Sequence, residues 1–399
     1  MRFRVLLLST LLFWQVPQTA SAQPIVPRLE ALGFENLAVE SGNEALTVWY
    51  ENRRYFLEIE AMGRVLAEAS RDLEATQSIA VVPQRDRIPL MLMRVNVGDL
   101  REFLAGAMTP DVFRQRLRFE PAPEHRPENR VNSSLYRTDL DLTPGYFFSV
   151  EFKGWVNGTV RTPIADGLAA TARGRYYLAP WGETGVTFAQ LQGHGWLRPG
   201  LMGSWVAGRW SDSNYGAHGE IASQLDEGNW VWRLSGGAGT GMPVLAATSI
   251  ERRFHPLDVV LASGVGLFQG GDRAIFARFI RWFPRSAMEG SVWRSDLGTQ
   301  LRMGLSIYLG PNPLPHPGPF RVYAPGLFIT DYRASSPPSA TIPFPISDVD
   351  RTWQRLTPSY IRAHVEEWHP QTNNGEIRSI SNQKLKTPGN ESHARVAIF

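Results

Sequence analysis

"DRAIFARFIRWF", residues 272–283, admits two foldings. Wound as a helix, it gathers Ile275, Phe276, Phe279, Ile280, Trp282 and Phe283 on one side and leaves Arg273, Arg278 and Arg281 outside that arc. That is the pattern of a basic amphipathic helix lying on a membrane. Extended, it places Ile275, Ala277, Phe279 and Phe283 on one face and Phe276, Arg278, Ile280 and Trp282 on the other. So short a segment cannot be assigned by periodicity alone, and its surroundings decide.

Those surroundings repeat the extended pattern. Residues 131–310 hold 27 of the 36 glycines and 9 of the 13 tryptophans, which marks a change of texture from the segment before them. Alternating runs recur there, among them "GYFFSVEFKGWV", "GLAATARGRYYLA", "LMGSWVAGRW", "NWVWRLSGG" and "DVVLASGVGLF". Turn signals separate them at Thr143-Pro144-Gly145, Asp212-Ser213-Asn214, Asp226-Glu227-Gly228 and Gly270-Gly271-Asp272. About twelve strands with no helices between them predict an antiparallel meander. A helix at 272–283 would leave its neighbours unpaired, so the stretch reads as a strand. Parity directs Ile275, Ala277 and Phe279 to one medium and Arg278 to the other, with Arg273 and Arg281 at the two edges.

The strand lengths and small-or-polar alternation fit an outer-membrane β-barrel. A soluble sandwich or propeller is the alternative, with the same aromatics as core. In the barrel reading, Trp155, Tyr176, Tyr177, Trp181, Trp196, Trp210, Trp230, Trp282, Trp293 and Tyr308 are expected in the interfacial girdles. Arg278, Arg209, Asp139 and Asp141 are the candidates for lumen groups that contact a polysaccharide. Arginine pairs bidentately with acidic sugars.

Before the meander the texture is α/β. A short helix ends at Gly33, "NLAVE" and "ALTVWYE" read as strands, and Phe56, Ile59, Met62, Val65, Leu66 and Ala69 recur at helical spacing. "SIAVVPQ" and "RIPLMLMRV" read as strands and "VGDLREFLAGA" as a helix. The predicted plan is a signal peptide over 1–22, a small α/β periplasmic domain over 23–118 and a Pro- and charge-rich linker over 119–134. A β-barrel over 135–310 and a Pro-rich, partly disordered tail over 311–399 follow. The signal peptide rests on Arg2 and Arg4, the apolar run Val5–Val16 and the small-residue site Ala20-Ser21-Ala22.

Composition excludes several functions. There is no cysteine, hence no disulfide, thiolate metal site or thiol nucleophile. The net charge of +3 is scattered, almost all of the basic residues being arginine, so nucleic-acid binding has no support. No segment approaches the apolar length of a membrane-spanning helix. His364 and His369 in "HVEEWH" are five apart, whereas a zincin helix needs four, and no metal site is expected. Asp139 and Asp141 share a strand face, yet nothing supplies the separation across a cleft that glycoside hydrolysis requires. No nucleophile elbow, phosphate loop or other cofactor motif is present. The protein is therefore expected to be non-catalytic, with a secreted polysaccharide-degrading enzyme and a general porin as the alternatives.

"LGFENLAVESGNEALTVWYENRRYF" (32–56) is similar to the periplasmic module of YjbH-like exopolysaccharide biosynthesis proteins. Residues 197–237 and 255–293 resemble that family's strand-turn-strand units. The resemblance covers roughly residues 28–310, with the "GFEN…ENRRY" pairing its sharpest part. It implies an outer-membrane barrel of the capsule and exopolysaccharide pathways, with outer-membrane lipid, polysaccharide and other secretion components as partners. Many members are about twice this length and some are lipoproteins. This chain departs on both points and resembles one half of that architecture.

Overall fold

The computed structural model describes residues 25–42, 45–148, 152–178, 184–209, 215–240, 242–268, 271–296, 298–309, 319–323, 327–336, 352–353 and 355–368. The expected signal peptide, Trp181, Trp210 and His369 lie outside these residues.

The N-terminal unit follows the sequence pattern closely. Helix α1 (Ile25–Ala31) precedes strands β1 (Glu35–Ser41) and β2 (Ala45–Glu51), and α2 (Glu58–Ser70) crosses to β3 (Ser78–Arg85). Then come β4 (Ile88–Pro89), β5 (Leu92–Asn96), α3 (Val97–Leu104), α4 (Pro110–Arg116) and β6 (Arg118–Glu120). The sheet order is β1-β2-β3-β5-β6, with β4 beside β3. The β2–β3 pair is parallel, which is why a helix must connect it. On α2, Ile59, Met62, Val65 and Leu66 form the buried stripe that packs on Val48, Ile79 and Val81 of the sheet. Asn96 caps α3, its side chain accepting from the backbone N–H groups of Gly98 and Asp99.

From Thr138 the chain is a barrel. Twelve consecutive strands pair antiparallel: β7 (Thr138–Phe148), β8 (Phe152–Ala165), β9 (Leu168–Tyr177), β10 (Thr184–Arg198), β11 (Leu201–Arg209), β12 (Tyr215–Leu225), β13 (Trp230–Gly239), β14 (Met242–Phe254), β15 (Val259–Leu267), β16 (Arg273–Phe283), β17 (Ser286–Ser295) and β18 (Gly298–Tyr308). The thirteenth, β20 (Leu327–Ser336), pairs antiparallel with β18 and parallel with β7, closing the barrel. An odd strand number forces this: direction alternates, so the first and last strands point the same way. Short β19 (Phe320–Tyr323) pairs with the same edge of β7, beside Thr138–Asp141.

The stretch 272–283 is β16, a strand within this wall. On it Ile275 and Ala277 are exposed outward, and Arg278 shares the inward parity of Ala274, Ile280 and Trp282. The same segregation runs around the wall. Among the described strand residues, every well-exposed large apolar side chain has the outward parity, including Leu191, Trp205, Ile221, Trp232, Val265 and Ile275. The outward-facing charges are all arginine and sit near strand ends. Arg198, Arg252 and Arg281 lie toward the short turns, and Arg209, Arg273 and Arg294 toward the opposite rim. No helix among the described residues is long and apolar enough to cross a membrane.

Three expected boundaries need correction. Sheet strand β6 runs to Glu120, and Val131 forms a bridge to Leu37, so residues 119–134 pack against the α/β unit instead of linking loosely. The barrel does not end at 310, because β19 and β20 complete it. The expected tail also contains an ordered strap. The helix Pro358–His364 and the turn Val365–Trp368 bury Tyr360, Ile361, Val365 and Trp368 in the α/β core. The Trp368 indole donates to Ile59 O at 2.8 Å and lies so close to Gly63 that a Cβ there would meet its ring at 2.5 Å. A glycine inside α2 is thereby explained.

Candidate functional site

The α/β unit sits on one end of the barrel, the end of the short β-turns. Gly167 of the β8–β9 turn donates its N–H to Asp86 O, and the Trp196 indole donates to Pro89 O at 2.6 Å. Strap residues complete the junction. Thr357 accepts from Arg253 Nη1 of β14 at 2.7 Å, and His364 contacts Asp258 of the β14–β15 turn at 2.5 Å.

At the centre of this junction is a buried charge network. Arg53 reaches Glu51 at 2.7 Å, Asp86 at 3.0 Å and Asp139 at 3.7 Å. Arg321 of β19 holds Asp139 at 2.7 Å and also pairs with Glu35, which accepts from Arg137 at 3.0 Å. Arg161 of β8 pairs with Asp86. Burial alone would raise the Asp86 carboxyl, but Arg161 and Arg53 override it and hold the group well below the usual carboxylate range. Burial likewise works against the Arg53 cation, and the four surrounding carboxylates reverse that. Deleting one partner from such a buried set costs about 3–5 kcal/mol, because the survivor stays buried and unpaired. Asp139, a candidate for polysaccharide contact, is thus a structural member of this junction.

Inside the barrel, strand parity brings charges and rings onto one surface. Glu251 of β14 is held by Arg233 at 3.1 Å and Arg278 at 2.6 Å, and Arg233 also reaches Glu220 at 2.7 Å. Arg278 therefore faces the lumen in an ion network. Asp141 also faces inward, in one lateral row with Thr159 and Arg173, and accepts from the Thr143 hydroxyl at 3.2 Å. Arg209 does not join them. It falls on the outward parity with Trp205 and Ala207, because inward positions on β11 are Met202, Ser204, Val206 and Gly208.

The girdle candidates divide in the same way. Tyr176 and Trp230 face outward. Trp155, Tyr177, Trp196, Trp282, Trp293 and Tyr308 face inward, which corrects their assignment to the girdle. Residue type cannot distinguish the faces, whereas parity can. Trp155 is 4% exposed beneath Arg175, and Trp293 stacks on Phe276 with centroids 4.6 Å apart. Tyr308 stacks on Phe56 of the α/β unit.

Sequence reading did not single out Arg175, an inward residue of β9. Its guanidinium carbon lies 4.6 Å from the Trp155 centroid and 5.8 Å from that of Tyr177, and Nε donates to Asn157 Oδ1 at 2.9 Å. Its parity with Arg173 and Tyr177 was the available signal. Among the described residues no cluster of metal-ligating side chains occurs. The chain matches no family model and no curated protein.

Proposed function

We propose that this protein is an outer-membrane β-barrel that assists export or surface assembly of an exopolysaccharide and performs no catalysis itself. A signal peptide cleaved after Ala22 would deliver it, and the α/β unit would lie in the periplasm against the barrel mouth. The observation that carries this reading is the segregation of the two faces of the wall. The outward face is apolar between two tiers of arginine, while the inward face holds the carboxylates and most of the arginines. On β16 the tiers, Arg273 and Arg281, are about 26 Å apart along the strand at ~3.3 Å per residue. With strand tilt and arginine snorkelling, this suits a hydrocarbon band.

The polysaccharide role rests on the similarity of residues 32–56 and the strand units to YjbH-like proteins, and on a lumen of arginines and rings. Its partners would be outer-membrane lipid, the polymer and other secretion components. Cell fractionation tests the location: recovery in the outer membrane, with heat-modifiable migration in gels, is expected. Recovery as a detergent-free soluble protein would overturn it. Deletion of the gene in its native host tests the role, with loss of surface polymer as the expected outcome.

A further inference from the structure

We infer that Arg175 forms an anion-binding subsite in the lumen for an acidic polysaccharide, one whose sugar units carry carboxylates. The inference rests on the membrane-barrel reading above and names the class of polymer.

The argument begins with charge compensation. Among the described lumen carboxylates, Glu220 and Glu251 face Arg233 and Arg278, Asp139 faces Arg321 and Arg53, and Asp141 shares its lateral row with Arg173. Among the described residues no carboxylate lies within ion-pair distance of Arg175. Its lateral row holds Asn157 and Thr143, both neutral. Its fixed contacts are the Asn157 oxygen, the Tyr177 hydroxyl at 3.5 Å and two aromatic rings. These contacts orient the guanidinium, and none of them neutralises its charge. A cation set on a ring wall inside a barrel draws a mobile anion.

The shape of the group narrows the ligand. Nε is committed to Asn157 and the planar head is held against Trp155, so binding an anion costs little further ordering. An arginine fork matches a carboxylate bidentately. Arg173 lies two residues along the same strand face, about 6.6 Å away at ~3.3 Å per residue. Its guanidinium sits 4.7 Å from the Phe188 centroid, with Nε donating to Thr159 Oγ1 at 3.0 Å. Two arginines aligned along the wall, at a spacing on the order of one sugar unit, suit a chain of acidic residues better than a single small anion.

The test uses the full mature chain folded in detergent micelles, titrated calorimetrically with an oligogalacturonate, a neutral galactan oligomer of equal length and free galacturonate. The acidic oligomer is expected to bind about ten-fold tighter than the neutral one, and less tightly as salt rises. Arg175→Gln should remove most of that ten-fold preference for the acidic over the neutral oligomer. Arg175→Lys should fall between, since it keeps the charge and loses the fork. If Arg175→Gln does not fold, Asn157→Ala, which frees the guanidinium, should weaken acidic binding several-fold. Equal binding of the two oligomers, or full acidic preference in these variants, would overturn the subsite. Free galacturonate binding as tightly as the oligomer would overturn the polymer and leave a small-anion site. Failure of the barrel reading would be seen separately, in fractionation.

Discussion

The Arg355 guanidinium carbon lies 3.7 Å from the centroid of the Trp282 ring. Trp282 is an inward residue of barrel strand β16, and Arg355 belongs to the strap near the C-terminus. The same guanidinium is 4.9 Å from the Phe56 centroid, and Nη1 donates to Phe56 O at 2.7 Å. One side chain therefore joins the strap, the barrel and the α/β unit.

Removing it should loosen the junction. A partly desolvated cation–π contact and a charged hydrogen bond together contribute about 2 kcal/mol. Arg355→Ala should therefore raise the population of the undocked strap about thirty-fold. Limited chymotrypsin digestion of the micelle-bound chain reads this as faster cleavage beside Trp353 and Tyr360, which are buried when docked. An unchanged rate would show that Arg355 does not hold the strap.

Phe279→Arg and Arg278→Gln differ by one position and by face. Arg278 faces inward to Glu251, whereas Phe279 has the outward parity and lies over Gly290. In the proposed membrane barrel the outward face meets lipid, where a charge near the midplane costs about 2–4 kcal/mol. Phe279→Arg should impair assembly much more than Arg278→Gln, which leaves Glu251 with Arg233. Folded yield by gel migration measures this. In single-cysteine variants, a water-soluble thiol reagent should label position 278 and fail at 279. Equal labelling would return the strand's orientation to question.

How much of this was legible in the sequence depended on what each feature needs. Alternation needs only neighbours, so the strands, the α/β unit and the parity of Arg278 could be read directly. The closing strand Leu327–Ser336 was missed because it stands alone between proline-rich segments, and a meander gives no signal for where it closes. The strap was missed for a related reason. Trp353 and Trp368 are informative only once Gly63 and Trp196 are known to face them. The junction network was the least legible part, because Glu35 and Arg321 are brought together only by barrel closure. Trp155 and Trp293 line the lumen and not the girdle, a difference hidden in composition because an interfacial tryptophan and a lumen tryptophan look alike there.

Gly145→Ala should act on the lumen at a distance. A Cβ at 145 would lie 2.5 Å from the Trp155 ring and 2.4 Å from the backbone oxygen of Ile329. Neither can yield cheaply, because Trp155 is buried and Ile329 belongs to the closing strand. Overpacking of this kind costs about 1–3 kcal/mol. The variant should lower the melting temperature of the barrel and displace Trp155 from beneath Arg175. A shifted tryptophan emission spectrum would accompany it, and a wild-type melting profile would contradict the contact.

Glu58 gives the α/β unit a pH dependence with a definite sign. It begins α2, and burial pushes its carboxyl up to about 7 despite the Asn52 amide, which donates to it at 3.0 Å, and the nearby Arg85 and Arg355. Glu51 adds to the upward push. The folded state therefore holds this proton more tightly than the unfolded chain does. That contribution is complete below the ordinary carboxylate pKa and is lost as pH rises through about 7. The loss is on the order of 3 kcal/mol. Glu58→Gln keeps an amide in place of the protonated acid, so it should match the wild type near pH 5 and exceed it near pH 8. Groups common to both proteins also titrate in this window, Glu367 pushed up to about 7 by burial and His255 pushed down to about 4 by burial, so the difference between the two proteins is the readout. Asp86 acts in the opposite direction and only in acid, equally in both proteins. Melting of the full chain in micelles from pH 5 to 8, followed by tryptophan fluorescence, provides the comparison. Parallel curves for the two proteins would show that Glu58 carries no such linkage.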